Sequence, residues 1–173
     1  MIFISGVHGV GKSYFCGLVN DRIGVKSYSA SSLIADRKKQ AFSADKLIPD
    51  IDDNQQYLLD AVAEIRAQGE EFILDGHFCL LNGEGVVARI GLNTFITLKP
   101  DAIILLTEDP TIITERRSTR DGIKHSAIDI KAFQDEEVAY ATEVAQLLCV
   151  PIKISQGILD IESIIAFVSE RRA

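Results

Sequence analysis

Cysteines are few in this chain of 173 residues, and their number and spacing argue against disulfide bonds and against a zinc site. Only Cys16, Cys79 and Cys149 occur. Their number is odd and no pair has the Cys-x-x-Cys spacing, so the sequence suggests neither a disulfide framework nor a zinc site. Each cysteine has apolar neighbours, and we expect all three to be small buried hydrophobic residues.

Positive charge is also scarce. The chain has 18 Lys and Arg residues against 25 Asp and Glu residues, which gives a net charge of −7 at pH 7. A surface for nucleic acid or for an anionic membrane is built from clustered basic side chains. We therefore expect neither as a partner. Long hydrophobic runs are missing too, so we expect no transmembrane span, and the opening residues predict a strand rather than a signal peptide. The expected location is a reducing cytoplasm.

A glycine-rich loop is the most informative feature that is present. Residues 6–13 read Gly-Val-His-Gly-Val-Gly-Lys-Ser, a complete G-x-x-x-x-G-K-[ST] pattern. The loop follows an apolar run at 2–5 and precedes a helical pattern, which is the context that this motif requires. The sequence therefore predicts a binding site for a nucleoside triphosphate or a similar phosphate.

The residue types of this loop fit that chemistry. Glycines let backbone N–H groups turn toward phosphate oxygens without a Cβ in the way. Lys12 adds positive charge at the phosphates, and the Ser13 hydroxyl is suited to Mg²⁺. The helix that begins near Lys12 adds unpaired N–H groups and the positive end of its dipole. The residues expected to contact the nucleotide are Gly6, His8, Gly9, Val10, Gly11, Lys12, Ser13 and Tyr14.

Strand and helix patterns alternate along the chain. Four short apolar runs predict buried strands at 2–5, 71–75, 102–107 and 151–155, and a weaker run predicts a fifth strand at 25–29. Helical patterns lie between them and after the last one. This alternation predicts βαβ units and a parallel sheet covered on both faces. At this length the chain is most simply one compact domain of three layers.

Two polar segments interrupt the pattern. Residues 29–53 include Ser31 and Arg37, and residues 116–128 include Arg116, Arg117 and Arg120. Polar segments that follow strands at the phosphate end of a sheet are candidates for a substrate cover and a lid. The alternative for both segments is a solvated surface.

Phosphoryl transfer requires fixed cations more than it requires a base, because charge spreads over the transferring group. Arg116, Arg117 and Arg120 could supply such cations, and with Lys12 they are the predicted catalytic residues. A single arginine at a helix end is more often a partner of the helix dipole.

Asp75 ends the strand at 71–75, at the sheet edge where α/β folds bind ligands. We predict that it holds Mg²⁺ together with Ser13, although an Asp-Gly pair is also a common turn. His77 follows and is expected to line the acceptor pocket. His8 lies inside the loop, where it could contact substrate or cap the loop.

Over nearly its whole length the sequence resembles the nucleoside monophosphate kinases, and most closely the adenylate kinases of archaeal type. The likeness rests on the opening I-x-I-x-G-V-x-G-V-G-K-S, on Asp75-Gly76-His77 and on Leu-Lys-Pro-Asp-Ala-Ile-Ile-Leu at 98–105. It continues through the paired arginines of 109–121, the long helix and the strand at 150–155.

This resemblance implies a three-layer P-loop kinase fold, with a five-stranded parallel sheet in the order 2-3-1-4-5 and helices on both faces. It implies ATP and Mg²⁺ as cofactors, AMP as the acceptor, an acceptor-binding insertion at about 29–53 and a short lid at about 117–128.

The acceptor site departs from the family pattern. Bacterial relatives carry Asp-Gly-Phe-Pro-Arg after the third strand, whereas this chain has Asp-Gly-His-Phe-Cys at 75–79, without the arginine that binds the monophosphate. Arg37 stands near the place of the other monophosphate-binding arginine, and Arg89 could substitute. The predicted acceptor contacts are therefore Ser31, Arg37, His77 and Arg89.

Two other functions stay open at this point. One is a P-loop ATPase or switch module that acts on a protein partner, and the other is a small-molecule kinase for a sugar, a shikimate-like acid or a nucleoside. The sequence has no N-K-x-D stretch for guanine recognition, which argues against a GTPase. No glutamate follows Asp75 to activate water, which argues against a ring-forming ATPase.

Overall fold

The computed structural model describes residues 1–38, 47–48, 51–122 and 124–171, without the side chains of 47–48 and 51–53. Eight strands and seven α-helices lie in these ranges. The strands are β1 (Ile2–Ser5), β2 (Lys26–Ser29), β3 (Leu47–Ile48), β4 (Phe72–Asp75), β5 (Cys79–Asn82), β6 (Val87–Arg89), β7 (Ala102–Leu106) and β8 (Ile152–Ser155). The helices are α1 (Lys12–Ile23), α2 (Ala30–Lys38), α3 (Ile51–Ala67), α4 (Leu92–Leu98), α5 (Pro110–Asp121), α6 (Ala127–Leu148) and α7 (Ile161–Ser169), the last preceded by a 3₁₀ turn at Gly157–Asp160.

The main sheet contains five parallel strands in the order β2-β4-β1-β7-β8. If the five strands of this sheet are numbered 1 to 5 in chain order, their order in the sheet is 2-3-1-4-5, as predicted. The predicted alternation of strands and helices is confirmed, and helices flank the sheet. The central strands β1, β4 and β7 are apolar along nearly their whole length because helices cover the sheet, so their side chains form the core.

A second, three-stranded sheet was not predicted. β3 pairs parallel with β5, and β5 pairs antiparallel with β6. The hairpin between β5 and β6 is closed by Asn82, whose side-chain oxygen accepts from the N–H groups of Glu84 and Val86. These strands are too short and too weakly alternating to give a strand signal.

The two polar segments have regular structure where the structure describes them. The segment at 29–53 contains α2, β3 and the start of α3, and its residues 39–46 and 49–50 lie outside the described ranges. In the segment at 117–128, α5 continues to Asp121 and α6 begins at Ala127, so the predicted lid consists mainly of two helix ends.

The expectation that all three cysteines are buried is wrong for one of them. Cys16 and Cys79 are buried, but Cys149 is exposed. It caps the C-terminus of α6 in the left-handed conformation, with φ 54°, and therefore lies beyond the apolar stripe of that helix. Among the described residues, no helix is both long and apolar enough to cross a membrane.

Candidate active site

The loop between β1 and α1 has the backbone of an anion-binding site. Gly9 has φ +89° and Gly11 has φ +106°, conformations that side chains other than glycine rarely adopt. Gly11 caps α1 and, as a glycine, has no side chain with which to hydrogen-bond the helix end. The first N–H groups of a helix have no partner within it, so they are left for a ligand. The residues present therefore fit a bound phosphate.

The loop also packs tightly against its neighbours. A Cβ on Gly6 would lie 2.6 Å from the carbonyl oxygen of Leu106, and a Cβ on Gly9 would lie 2.6 Å from Cγ of Arg117. Glycine is thus required both for the backbone conformation and for close contact with β7 and α5.

Lys12 lies at the centre of the site, buried, and donates a hydrogen bond of 2.7 Å to the carbonyl of Gly6. Its Nζ is 3.8 Å from Oδ1 of Asp75 and 3.4 Å from Nε2 of His77. Burial lowers the pKa of Lys12, against the opposing effect of Asp75. Burial likewise raises the pKa of Asp75, although Lys12 acts in the other direction. An added anionic phosphate would favour the charged form of this lysine.

Ser13 and Asp75, the predicted metal ligands, line the same cavity as Lys12. A hydroxyl and a carboxylate are the oxygen donors that Mg²⁺ prefers, so these residues fit that ion. The described residues contain no group of three or more His, Cys, Asp or Glu side chains that could hold a metal. Phosphate and water oxygens would therefore supply the other positions, as is usual for Mg²⁺.

The cavity has a volume of about 470 Å³. Its phosphate end is lined by loop residues and by two of the predicted arginines. Arg116 hydrogen-bonds the carbonyl of Val10 at 3.4 Å and Glu108 at 3.1 Å, and Arg120 pairs with Asp121 at 2.6 Å. The predicted residues that the structure brings to this cavity are His8, Gly9, Gly11, Lys12, Ser13, Tyr14, Ser31, Asp75, His77, Arg116 and Arg120.

Arg117 lies in a different place from the other two arginines. It is 4% exposed, its aliphatic stem packs on Gly9, and it lines a second cavity with Lys124 and His125 rather than the first. Burial lowers the pKa of Arg117, partly compensated by Asp121. This placement favours a role in supporting the phosphate loop.

Gly6 and Val10 take part through their carbonyl groups, which accept from Lys12 and Arg116, and neither residue lines the cavity. His8 and His77 do line it, with ring centroids 4.1 Å apart. The two histidine rings thus border the space next to Lys12.

Arg37 and Arg89 are not brought to the cavity. The guanidinium of Arg37 pairs with Glu64 on α3 at 2.7 Å. Arg89 pairs with Glu136 at 2.6 Å and Glu143 at 2.8 Å, and its guanidinium lies 4.6 Å from the ring centre of Tyr140. Both acceptor roles stay predictions, and the positions of these side chains do not support them.

Sequence reasoning missed Glu137, a fully buried acid beside the site. Its carboxylate accepts from the Ser5 hydroxyl, from the N–H of Phe78 at 2.9 Å and from the N–H of Cys79 at 2.6 Å. Burial raises the pKa of Glu137, and these hydrogen bonds act in the opposite direction. Glu137 therefore fixes the chain that follows Asp75 and His77. The signal was present, because Glu137 interrupts the apolar stripe of α6 between Phe133 and Tyr140.

The end of the cavity away from the phosphate loop was also missed. It lies between α2, α3 and α4 and is lined by neutral side chains, mostly apolar. They are Phe3, Ile34, Leu58, Ile90, Phe95 and Leu98, with the polar Asn54, Gln55 and Thr94.

Comparisons with known proteins agree with this architecture. A family model described as "AAA domain" matches residues 5–133. The structure is similar to a shikimate kinase from Aquifex aeolicus, with a TM-score of 0.56, 14% identity, and coverage of 98% of this chain and 93% of that one. A shikimate kinase from Bacteroides thetaiotaomicron gives a TM-score of 0.54, 14% identity, and coverage of 98% and 96%. No curated protein matches the sequence. At this identity the two structures support the P-loop kinase fold and leave the acceptor open.

Proposed function

The chain belongs to the AAA domain family, and on that premise we propose that it transfers the γ-phosphoryl group of ATP, with Mg²⁺, to a small-molecule acceptor. The observation that carries the proposal is one cavity that joins the phosphate loop to a largely apolar chamber between α2, α3 and α4. An ATPase that only hydrolyses its substrate has no need of such a chamber, whereas a kinase requires a place for the acceptor.

The residues at the phosphate end of the cavity have different roles in this proposal. Lys12 and the N-terminus of α1 bind the transferring phosphate, and Arg116 and Arg120 add positive charge on the α5 side. Ser13 and Asp75 would hold Mg²⁺, which neutralises charge on the phosphate oxygens when it is bound. Fixed cations in a site shielded from water stabilise a spread negative charge more than water does, and that difference accelerates transfer.

Among possible acceptors, AMP is the one that the sequence resemblance favours, and Ser31 and His77 line the cavity as that proposal requires. A small-molecule kinase on the same fold is the other candidate. Its support is the ion pairing of Arg37 and Arg89 outside the cavity, because a monophosphate acceptor needs cations that these two residues do not provide there.

ADP formation in the presence and absence of acceptors tests the proposal. The enzyme is given ATP and Mg²⁺ with each of a panel of nucleosides, nucleoside monophosphates, sugars and hydroxy acids. We expect one class to raise ADP formation well above the rate without acceptor. Lys12→Ala should abolish that increase, and Lys153→Ala is the matched control, since Lys153 lies half-buried on β8, does not line the cavity and bonds Ser163. Equal ADP formation with and without every acceptor would contradict the proposal.

A further inference from the structure

We propose that the acceptor is an uncharged, nucleoside-like compound with an apolar ring body and a free hydroxyl, and that Asn54 recognises one of its hydrogen-bond donors. This inference rests on the proposed kinase function and specifies its acceptor. Three observations carry it: the mostly apolar walls of the chamber, the positions of the cations, and a buried amide oxygen that has no partner among the described residues.

The walls of the chamber are mostly apolar. Phe3, Phe95 and Leu98 are at most 2% exposed although they border the cavity. The rings of Phe3 and Phe95 meet edge to face, with centroids 5.7 Å apart, so their positions are fixed by packing. Apolar walls of this kind favour a flat or compact apolar body, such as a heterocyclic base.

In the described part of the chain, the cations that line the cavity lie at its phosphate end. Among the described residues, the lysines and arginines that line it are Lys12, Arg116 and Arg120, all on the phosphate loop or α5. Arg66, which lies near α4, is held by the carbonyl groups of Leu98 and Lys99. With none of the described cations facing the chamber, a carboxylate or phosphate placed there would lose its hydration without gaining an ionic partner from these residues, which is strongly unfavourable. An uncharged acceptor avoids that cost.

Asn54 provides the polar contact. It lies on α3, is 4% exposed and lines the chamber. Its side-chain oxygen is buried and has no hydrogen-bond partner in the part of the chain that the structure describes. A buried polar atom without a partner is unfavourable, so a ligand N–H or O–H group placed there would be favoured. Ring nitrogens and amino groups of nucleobases are donors of this kind.

The reaction then balances without another reactant. An oxygen lone pair of the acceptor hydroxyl forms the new bond to the γ-phosphorus of ATP, and the bond from that phosphorus to the β,γ-bridging oxygen breaks. ADP leaves with that electron pair, and the hydroxyl proton is released to water. The products are a phosphate monoester and ADP.

Matched pairs of compounds test the acceptor class. Adenosine, cytidine, guanosine and uridine are compared with their 5′-monophosphates, and a hydroxy acid is added as a third class. Binding to the wild-type chain is measured by calorimetry, and acceptor-dependent ADP formation is measured in parallel. We expect at least one nucleoside to bind at least tenfold more tightly than its monophosphate and to raise ADP formation.

Asn54→Leu tests the recognition residue, because leucine has the same number of heavy atoms and the same branching at Cγ but lacks the oxygen. We expect about a tenfold weaker binding of the nucleoside, with ATP binding unchanged. Asn93→Leu, at an exposed position of α4, is the control and should bind the nucleoside as the wild type does. Melting curves check that both variants fold. The comparison of nucleosides with monophosphates uses the wild-type chain alone, so it tests the acceptor class even if a variant does not fold.

The outcomes separate the two proposals. Acceptor-dependent ADP formation with monophosphates or the hydroxy acid, and none with nucleosides, overturns the neutral acceptor and leaves the kinase function in place. No acceptor dependence with any compound overturns both. Nucleoside binding that Asn54→Leu leaves unchanged overturns the role of Asn54.

Discussion

Replacement of Glu137 by alanine should destabilise this protein more than any surface substitution. Glu137 is fully buried on α6 and accepts three hydrogen bonds, from the Ser5 hydroxyl and from the N–H groups of Phe78 and Cys79. Alanine removes every one of these acceptor positions. The three donors are then left in the interior at the point where the chain leaves β4 and the candidate site.

The magnitude follows from those three donors. Each buried donor left without a partner costs about 1–3 kcal/mol. Part of this loss is offset, because the buried carboxylate is itself unfavourable and alanine removes it. We expect a net decrease of about 3–5 kcal/mol in the free energy of unfolding. With a urea dependence of about 2 kcal/mol per M, the midpoint should fall by roughly 1.5–2.5 M.

Urea unfolding of the wild type, Glu137→Ala and Glu136→Ala measures the effect. Glu136 is the adjacent acid, is part-exposed and pairs with Arg89, so its loss should cost less than about 1 kcal/mol. Glu137→Gln, which retains one acceptor oxygen, should fall between the wild type and the alanine variant. Equal midpoints for Glu136→Ala and Glu137→Ala would refute the reasoning.

The stability difference between the wild type and Glu137→Ala should change with pH in a defined direction. Burial raises the pKa of folded Glu137 above its ordinary value of 4.5, so the folded state binds this proton more readily than the unfolded state does. The wild type therefore gains stability relative to Glu137→Ala as the pH falls from the raised pKa toward 4.5. The stability difference between the two proteins should be larger near pH 4.5 than at pH 7. A difference that shrinks on acidification would contradict the assignment.

Three other predictions concern the phosphate end of the cavity. Lys12→Ala should lower kcat by about 10²–10³-fold, as for the loss of a fixed charge donor, while the melting temperature shows that the protein is folded; a near wild-type kcat would remove Lys12 from the chemistry. Asp75→Asn should shift the Mg²⁺ titration of activity to higher concentration, because an amide is a weaker ligand than a carboxylate, and an unchanged titration would remove Asp75 from the metal site. Gly9→Ala should weaken ATP binding measured by calorimetry, because its Cβ would lie 2.6 Å from Cγ of Arg117 and its φ is +89°; unchanged binding would mean that the loop tolerates both changes.

The parts of this molecule that follow local rules could be predicted from the sequence. The phosphate loop has a fixed pattern, and the central strands β1, β4 and β7 are nearly continuous apolar runs, so their bounds were predicted to within one residue. The order of the main sheet followed from the family resemblance and is confirmed.

The acceptor roles of Arg37 and Arg89 stay predictions, and the positions of these side chains depend on contacts between residues far apart in the chain. Arg37 and Arg89 are the right residue type for an acceptor phosphate, but Glu64, Glu136 and Glu143 hold their guanidinium groups elsewhere. A single sequence does not show which acid an arginine meets.

Some missed residues did leave a local signal. Glu137 occupies a place on the apolar stripe of α6, and Asn54 does so on α3, four residues before Leu58. A polar residue at an apolar position of a helix indicates either a buried hydrogen bond or a binding site. Glu137 makes buried hydrogen bonds, and we propose that Asn54 belongs to a binding site.

The fate of the γ-phosphoryl group tests the central claim most directly. ATP labelled with ¹⁸O at the γ-phosphate is incubated with Mg²⁺, the enzyme and the nucleosides, and ³¹P NMR follows where the label goes. The account predicts that the labelled phosphorus appears in a phosphate monoester of the nucleoside, at a rate that matches ADP formation. Label that appears only in inorganic phosphate, at the same rate with and without acceptor, would contradict it.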